Sequence, residues 1–432
     1  MMDILIVGCG IAGSSLASFL LVNATDAQRK TMKITILERA SELRPYGQNI
    51  DVRGYGVEML RKLDLEAAVR ASTTGEEGVQ LVDAYHRVWA SIAADKTGKI
   101  QTPTSDIEIL RGRLAQLCWK RSMQLSDECQ ASGGHGISYV FGDSLSAIEH
   151  IGDKAQVTFT KSGQKQAYDI VVGADGSQSQ TRALAWGAAQ EATAVHSLNV
   201  YGAFFSIPRE EHDTKWRKWF HATGGRAIML RPDDCGKRST IFMTVMNDTD
   251  ARLPVAGKKH NNMSEKKALM EEYFTGAGWE TERILREMAD AEDFYFDALV
   301  QIKMERWSTG RVVLLGDAGY CASPMSGMGT TLAFTGAHSL ARAILRRQDS
   351  LEQVFAEYEA EMRPIATKAQ KLAPGMPRMM HPQALWELVL LHGLLFILKN
   401  SGIFTILGML TVGTGTPYFS ESLRHRSVFG SY

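Results

Sequence analysis

The apolar run DILIV at residues 3–7 passes straight into GCGIAG at 8–13 and then into the helix-forming SSLASFLL at 14–21. A GxGxxG set between a strand and a helix is the turn of a dinucleotide-binding β-α-β unit. Gly8 permits the tight turn, Gly10 lets a pyrophosphate come close to the backbone, and Gly13 lets helix pack on strand. The helix N-terminus adds unpaired N–H groups and a partial positive charge. A second strand at 33–37 ends in Glu38, whose carboxylate suits the two hydroxyls of an adenosine ribose. Glu38 stands 25 residues past Gly13, against the usual spacing of about 20. The polar stretch NATDAQRKTM at 23–32 reads as a loop and accounts for the excess.

Two more apolar strands end in Gly and Asp far downstream. YDIVVGADG at 168–176 opens GADGSQSQTR, a DGxxSxxR pattern of Asp175, Gly176, Ser179 and Arg182. GRVVLLGDAG at 310–319 runs on into YCASPMSGMGTTLA, a loop stripped to glycines, small residues, Pro324 and two methionines. Strands this apolar belong to a parallel sheet buried on both faces. A nicotinamide dehydrogenase completes its cofactor site within one contiguous domain, so two returning loops point to a longer cofactor with a second end to hold.

At 432 residues the chain exceeds one core, since single cores rarely grow past roughly 250–300 residues. Lys plus Arg and Asp plus Glu balance at 48 each, with no basic stripe, which excludes nucleic acid as the expected partner. The cysteines at 9, 118, 129, 235 and 321 show neither CxxC nor Cys/His ligand spacing, so no metal site and no disulfide framework are expected. A reducing, cytoplasmic setting follows, and the glycine-broken N-terminus without a basic region argues against a signal peptide.

Residues 56–69 and 110–125 read as helices. Short alternating runs across 79–100 and 197–246 read as an antiparallel sheet, and WRKWF at 216–220 within them as a helix face. Residues 333–345 and 351–373 read as two more helices, the second carrying Pro364. The division expected is a nucleotide-binding domain in three parts (1–75, 107–190, 299–375), a second domain in two (76–106, 191–298), and a helical tail (376–432). In the tail, the apolar run 385–398 reaches only about 21 Å as a helix, short of the ~30 Å hydrocarbon core. Two short helices packed on the protein are the favoured reading of 384–413, and a monotopic membrane contact is the alternative.

The ordered trio of motifs resembles the single-component FAD-dependent monooxygenases, the aromatic hydroxylase family. GQNIDVRGYGVEMLRKLDL at 47–65 and LRGRLAQL at 110–117 resemble the branch of tetracycline-inactivating and fungal tailoring enzymes. The resemblance covers residues 2 to about 370. It implies an α/β fold: a Rossmann-like FAD-binding domain of the GR2 type, interrupted by an antiparallel-sheet substrate domain, with C-terminal helices. It also implies noncovalent FAD held by Gly8, Gly10, Ala12, Gly13, Glu38, Arg39, Arg111, Asp175, Arg182, Gly316, Asp317, Pro324, Gly327, Gly329 and Thr330. Within that set Glu38 and Arg39 serve the adenosine ribose, Arg111 the ribityl and pyrophosphate region, and Asp317 the ribityl chain. Asp175 to Arg182 serve FAD and NAD(P)H, and Asp51 lies near the reactive edge of the flavin.

By the same resemblance NADPH or NADH reduces the flavin, O2 is captured as a C4a-hydroperoxide, and a small aromatic or polyketide-like substrate is hydroxylated. Epoxidation, Baeyer-Villiger insertion or a membrane-associated flavin reductase are the alternatives. A halogenase is disfavoured, because GWxWxIP is missing. Substrate-facing side chains are expected on the second domain's sheet, around Tyr201, Phe205 and Met243, in a monomer or weak dimer. The chain departs from the family pattern at Tyr320 (in place of His), Thr331 (Asn) and Gly336 (Asp).

Overall fold

The computed structural model describes residues 1–44, 46–95, 104–258, 262–346 and 350–400, with 398–400 described by backbone alone. The strand expectation at 96–100 and the tail reading at 401–413 lie outside the described residues. The chain forms two compact units. One comprises Met1–Thr73, Ile109–Val200 and Ala298–Pro377; the other comprises Thr74–Glu108, Tyr201–Asp297 and, among the described residues, 378–400.

The first unit is built on a six-stranded sheet in the order Ser308–Thr309, Val312–Leu314, Ile170–Gly173, Met2–Val7, Met32–Glu38, Ile137–Phe141. All neighbours are parallel except the short edge pair. Leu5 and Val7 on one face pack with Val157 and Phe159 of a three-stranded meander. On the other face Ile6 meets the helix Ile11–Asn23, which in turn packs on Gly329–Arg346 and Arg111–Ala131. Covered on both sides, the inner strands can be apolar throughout, as the sequence has them.

Register places the site. Val7 is level with Leu37 and Gly173, and Gly173 with Leu314. Three strands more than a hundred residues apart thus end together, and the loops beginning at Gly8, Ala174 and Leu315 open side by side at the carboxyl edge of the sheet, where ligands of such folds bind.

Several local readings are corrected. The polar stretch after Asn23 is not a loop: Asp26–Thr31 is a short helix with a capping box, in which Thr25 Oγ1 accepts from the Gln28 amide and Gln28 Oε1 from the Thr25 amide. The helix read over 56–69 is two, Tyr55–Lys62 and Glu66–Arg70, parted at Asp64, whose φ of 56° lies in the left-handed region. WRKWF lies in a strand, Trp216–Ala222, because its pairing with Arg226–Pro232 and Gly78–Val82 overrides its helix-like spacing.

The second unit holds a seven-stranded sheet in which Gly78–Val82 runs parallel to Trp216–Ala222, while Val88–Ala93 on Gly78–Val82, and Arg226–Pro232 on both Trp216–Ala222 and Arg238–Met246, run antiparallel. Its two faces differ. Tyr201, Phe205 and Met243 lie on the face where Phe220 meets Trp279, between the helices Met263–Phe274 and Thr281–Asp290; all three are buried. The other face carries Tyr295, Phe204, Phe242, Met229 and Trp219, all but Phe204 partly accessible, with Phe204 stacked on Phe242 at 3.9 Å and on Tyr295 at 4.8 Å. Two buried carboxylates, Glu76 and Glu108, close that face's far end by pairing with Arg217 and Arg231. Burial would raise the Glu76 carboxyl, but the two guanidiniums overrule it and hold it down at about 2.

Candidate functional site

The turn at residues 8–13 contains two kinds of glycine. A Cβ on Gly8 would stand 2.5 Å from the Ala174 carbonyl oxygen, and one on Gly13 would stand 2.0 Å from the Gly8 carbonyl oxygen. Both are therefore required by packing, and Gly8 also by its φ of 110°. Gly10 differs: its φ of −80° suits any residue, and among the described residues nothing lies within 4 Å of the place a Cβ would take. No atom of the described residues explains why Gly10 is bare. The space beside it lies at the N-terminus of Ile11–Asn23, a helix without a side-chain cap and without an acid in its first turn, so its N–H groups are left for an anion.

The other sequence-named residues surround the same edge. Glu38 accepts from the Cys9 amide at 2.9 Å and the Ala40 amide at 3.0 Å, which fixes its carboxylate against the glycine turn and leaves further lone pairs for hydroxyl donors. Arg39 next to it is exposed and makes no ion pair among the described residues. A Cβ on Gly316 would meet the Ala12 side chain at 3.3 Å, one on Gly329 the Asp317 Oδ1 at 3.9 Å, and one on Gly327 the Asp51 carboxylate at 4.0 Å. The dinucleotide turn, the loop at 316–331 and Asp51 are thereby brought together. Asp51 is held by Arg53 at 3.0 Å. Thr330 is buried at the start of Gly329–Arg346, and Pro324 is exposed on the loop before it.

Arg111 is exposed at the head of its helix, and its guanidinium has no partner among the described residues. Burial pushes the Cys321 thiol well above its ordinary range; the negative charge of Asp317 adds to this and the positive charge of Arg111 opposes it, so both side chains face the same loop. An uncapped helix end, a bare Gly10, two unpaired guanidiniums and two carboxylates with spare lone pairs fit the pyrophosphate, ribose and ribityl groups of FAD.

Two side chains at the middle loop are engaged within the protein. Arg182 is fully buried, with four hydrogen bonds from its guanidinium: Nε and Nη2 donate to Glu191 at 2.6 and 2.7 Å, Nη1 to the Ala318 carbonyl at 2.8 Å, and Nη2 also to the Ser177 carbonyl at 2.8 Å. It clamps the loops at 175 and 317 together from a position closed to solvent. Asp175 is occupied likewise, taking the Ser179 hydroxyl on one oxygen and the Thr181 amide and hydroxyl on the other. Their spacing reads as a phosphate motif because a fork-shaped cation after a turn suits either task.

The FAD binding domain family matches residues 1–373. This chain belongs to that family and is a flavin-dependent monooxygenase. It is 34% identical to the FAD-dependent monooxygenase asL6 of Sarocladium schorii over 86% of each chain. It is 31% identical to the monooxygenase CTB7 of Cercospora beticola over 94% of each. Among solved structures it resembles the tetracycline destructase Tet(51), with a TM-score of 0.75 and 25% identity over 95% of this chain and 98% of that one.

Within this monooxygenase the three departures from the family pattern have structural partners. Tyr320 is fully buried; its hydroxyl accepts from Tyr358 Oη at 2.9 Å, and its ring lies 4.4 Å from that of Trp307. Burial pushes its phenol up to about 12. A Cβ on Gly336 would stand 2.0 Å from the Tyr320 hydroxyl, so Tyr320 and Gly336 form one compensated pair. Thr331 donates to the Arg53 carbonyl at 3.1 Å and so fastens the Asp51 loop to the helix that follows. No spacing rule links 320 to 336, and only the fold reveals the pair.

Gly336→Ala is expected to destabilise the protein by about 1–3 kcal/mol through overpacking, outweighing the ~1 kcal/mol that helix propensity would return. Adding Tyr320→Phe should restore part of the loss. Denaturant midpoints of the single and double variants check this; a Gly336→Ala protein as stable as the parent refutes the pairing.

Proposed function

We propose that the monooxygenase uses NADPH or NADH and O2 to hydroxylate a small aromatic or polyketide-like compound. The single observation that carries the FAD site is the unexplained clearance beside Gly10, at the level where three loops open together. When bound, FAD would pass two electrons from NAD(P)H to O2, so that one oxygen atom of O2 enters the substrate and the other leaves as water. The backbone N–H groups at 11–13 and Arg111 hold its phosphates, Glu38 accepts from ribose hydroxyls, and Asp317 accepts from the ribityl chain. The N-terminus of Gly329–Arg346, with no acid in its first turn, offers N–H groups to the electron-rich edge of the ring.

On the second unit, the substrate is assigned to the Trp219 face of the sheet, in place of Tyr201, Phe205 and Met243 on the helix-covered face. Its aromatic row suits a planar ligand. The Trp219 Nε1 and both ring nitrogens of His221 are buried without hydrogen-bond partners among the described residues. Each such group costs about 1–3 kcal/mol unless something meets it. The name of the neighbour Tet(51) supports a multi-ring substrate with hydroxyl and carbonyl groups.

The test supplies phenolic and polyketide compounds with NADPH or NADH under 18O2. Expected are substrate-dependent NAD(P)H oxidation, one labelled oxygen per product, and a raised KM in His221→Phe. Turnover that yields only reduced product, with no label, would replace this reading by a flavin reductase.

A further inference from the structure

The C-terminal helix Leu385–Asn400 has its polarity reversed. Glu387 and His392 turn toward the protein. Glu387 is tied to Arg378 at 2.7 and 3.0 Å and accepts from the Gln383 amide. His392, 6% exposed, lies with its ring 5.3 Å from Trp89 and 6.3 Å from His221. Its outer face is apolar. Leu385, Trp386, Val389, Leu390, Phe396 and Ile397 are between 49% and 68% exposed, and their spacing of three, four and seven puts them in one stripe. That stripe contains no charged residue. Lone exposed apolar residues are ordinary; six in one uncharged stripe mark a contact surface.

We propose that this outer face docks in the plane of a lipid bilayer that contains anionic headgroups. The helix of 16 residues is about 24 Å long, too short to cross the ~30 Å hydrocarbon layer, and no described helix is long and apolar enough to span a membrane. It is long enough to lie at the boundary of headgroup and acyl chain, where an exposed Trp386 is at home.

Two other occupants fit less well. A second copy would bury a strip roughly 24 by 10 Å, on the order of 300 Å² a side with side-chain relief, against the ~800 Å² per partner of a stable interface. The sequence that follows, GIFTILGMLTV at 402–412, has no charge on any side; folded back on the helix, it would cover one apolar face and leave another bare. Lipid satisfies both. From Ala384 to the end the sequence holds the acids Glu387 and Glu421, the first already paired, against Lys399, Arg424 and Arg426. That balance favours an anionic surface.

The test is flotation of the FAD-loaded full chain with phosphatidylcholine vesicles containing a minority of phosphatidylserine. The parent should float with the vesicles. The Trp386→Glu/Leu390→Glu variant should partition at least about tenfold less while keeping its FAD and elution volume. A parent that stays below the vesicles, a variant that floats equally, or binding abolished by high salt alone would overturn the proposal. So would a parent dimer, dissociated by the variant, that ignores vesicles. If the double variant loses FAD, a solvatochromic dye on Val389→Cys, in a Cys235→Ser background, decides instead: a blue shift with vesicles supports docking, and an unchanged spectrum refutes it.

Discussion

Gly10→Val leaves the folded apoprotein as stable as the parent and weakens FAD binding by at least about a hundredfold, so the variant purifies colourless. The first half follows from the empty space around the absent Cβ and from a φ of −80° that valine adopts without strain. The second follows because the valine side chain fills that space and holds a pyrophosphate off the helix N-terminus. Charge-assisted hydrogen bonds to backbone N–H groups are worth about 1.5–3 kcal/mol each, so losing two passes the hundredfold mark. Gly13→Ala is the contrasting control: its Cβ would meet the Gly8 carbonyl oxygen at 2.0 Å, so the apoprotein itself is destabilised. Apoprotein thermal midpoints and FAD titration by flavin fluorescence separate the two. A yellow Gly10→Val protein with parental affinity would move the cofactor away from this turn.

Arg182→Ala costs about 3–5 kcal/mol of stability, the range for removing one partner of a buried ion pair. Arg182 is fully buried, and four hydrogen bonds end on its guanidinium. Glu191 is 26% exposed and regains part of its hydration, which places the cost toward the lower end. The Ala318 and Ser177 carbonyls lose their donor inside the fold. Arg182→Lys rescues little, because one ammonium cannot serve the fork and two carbonyls at once. Denaturant unfolding of the apoproteins measures the loss directly. If Arg182→Ala kept parental stability and only slowed flavin reduction by NAD(P)H, the clamp would be wrong and the phosphate reading of DGxxSxxR restored.

The candidate site was legible in the sequence where one short segment both makes a turn and offers groups suited to a ligand. GCGIAG with Glu38 and the bare loop at 316–331 are of this kind, since a strand end, its turn and the helix after it are local structure. Arg182 was not legible in this way: a guanidinium suits a phosphate, a carboxylate or a carbonyl equally, and its partners Glu191 and Ala318 are brought in by packing. Tyr201, Phe205 and Met243 show the same limit in a strand. Alternation sorts residues into two faces, but which face the helices cover is settled by how Met263–Phe274 and Thr281–Asp290 return over the sheet.

Sequence by itself determined the β-α-β opening, the apolar parallel strands, the balanced charge, and the three glycine-bearing loops, two of them with aspartate. These depend on spacing and residue chemistry within a few turns of chain. Tertiary structure alone decided the register that levels Val7, Leu37, Gly173 and Leu314, the fit of the Tyr320 hydroxyl at Gly336, the burial of Arg182, and the outward turn of the apolar face at 385–397. Each of these joins positions that no local period relates, or depends on which side of an element its neighbours cover, and packing supplies that information.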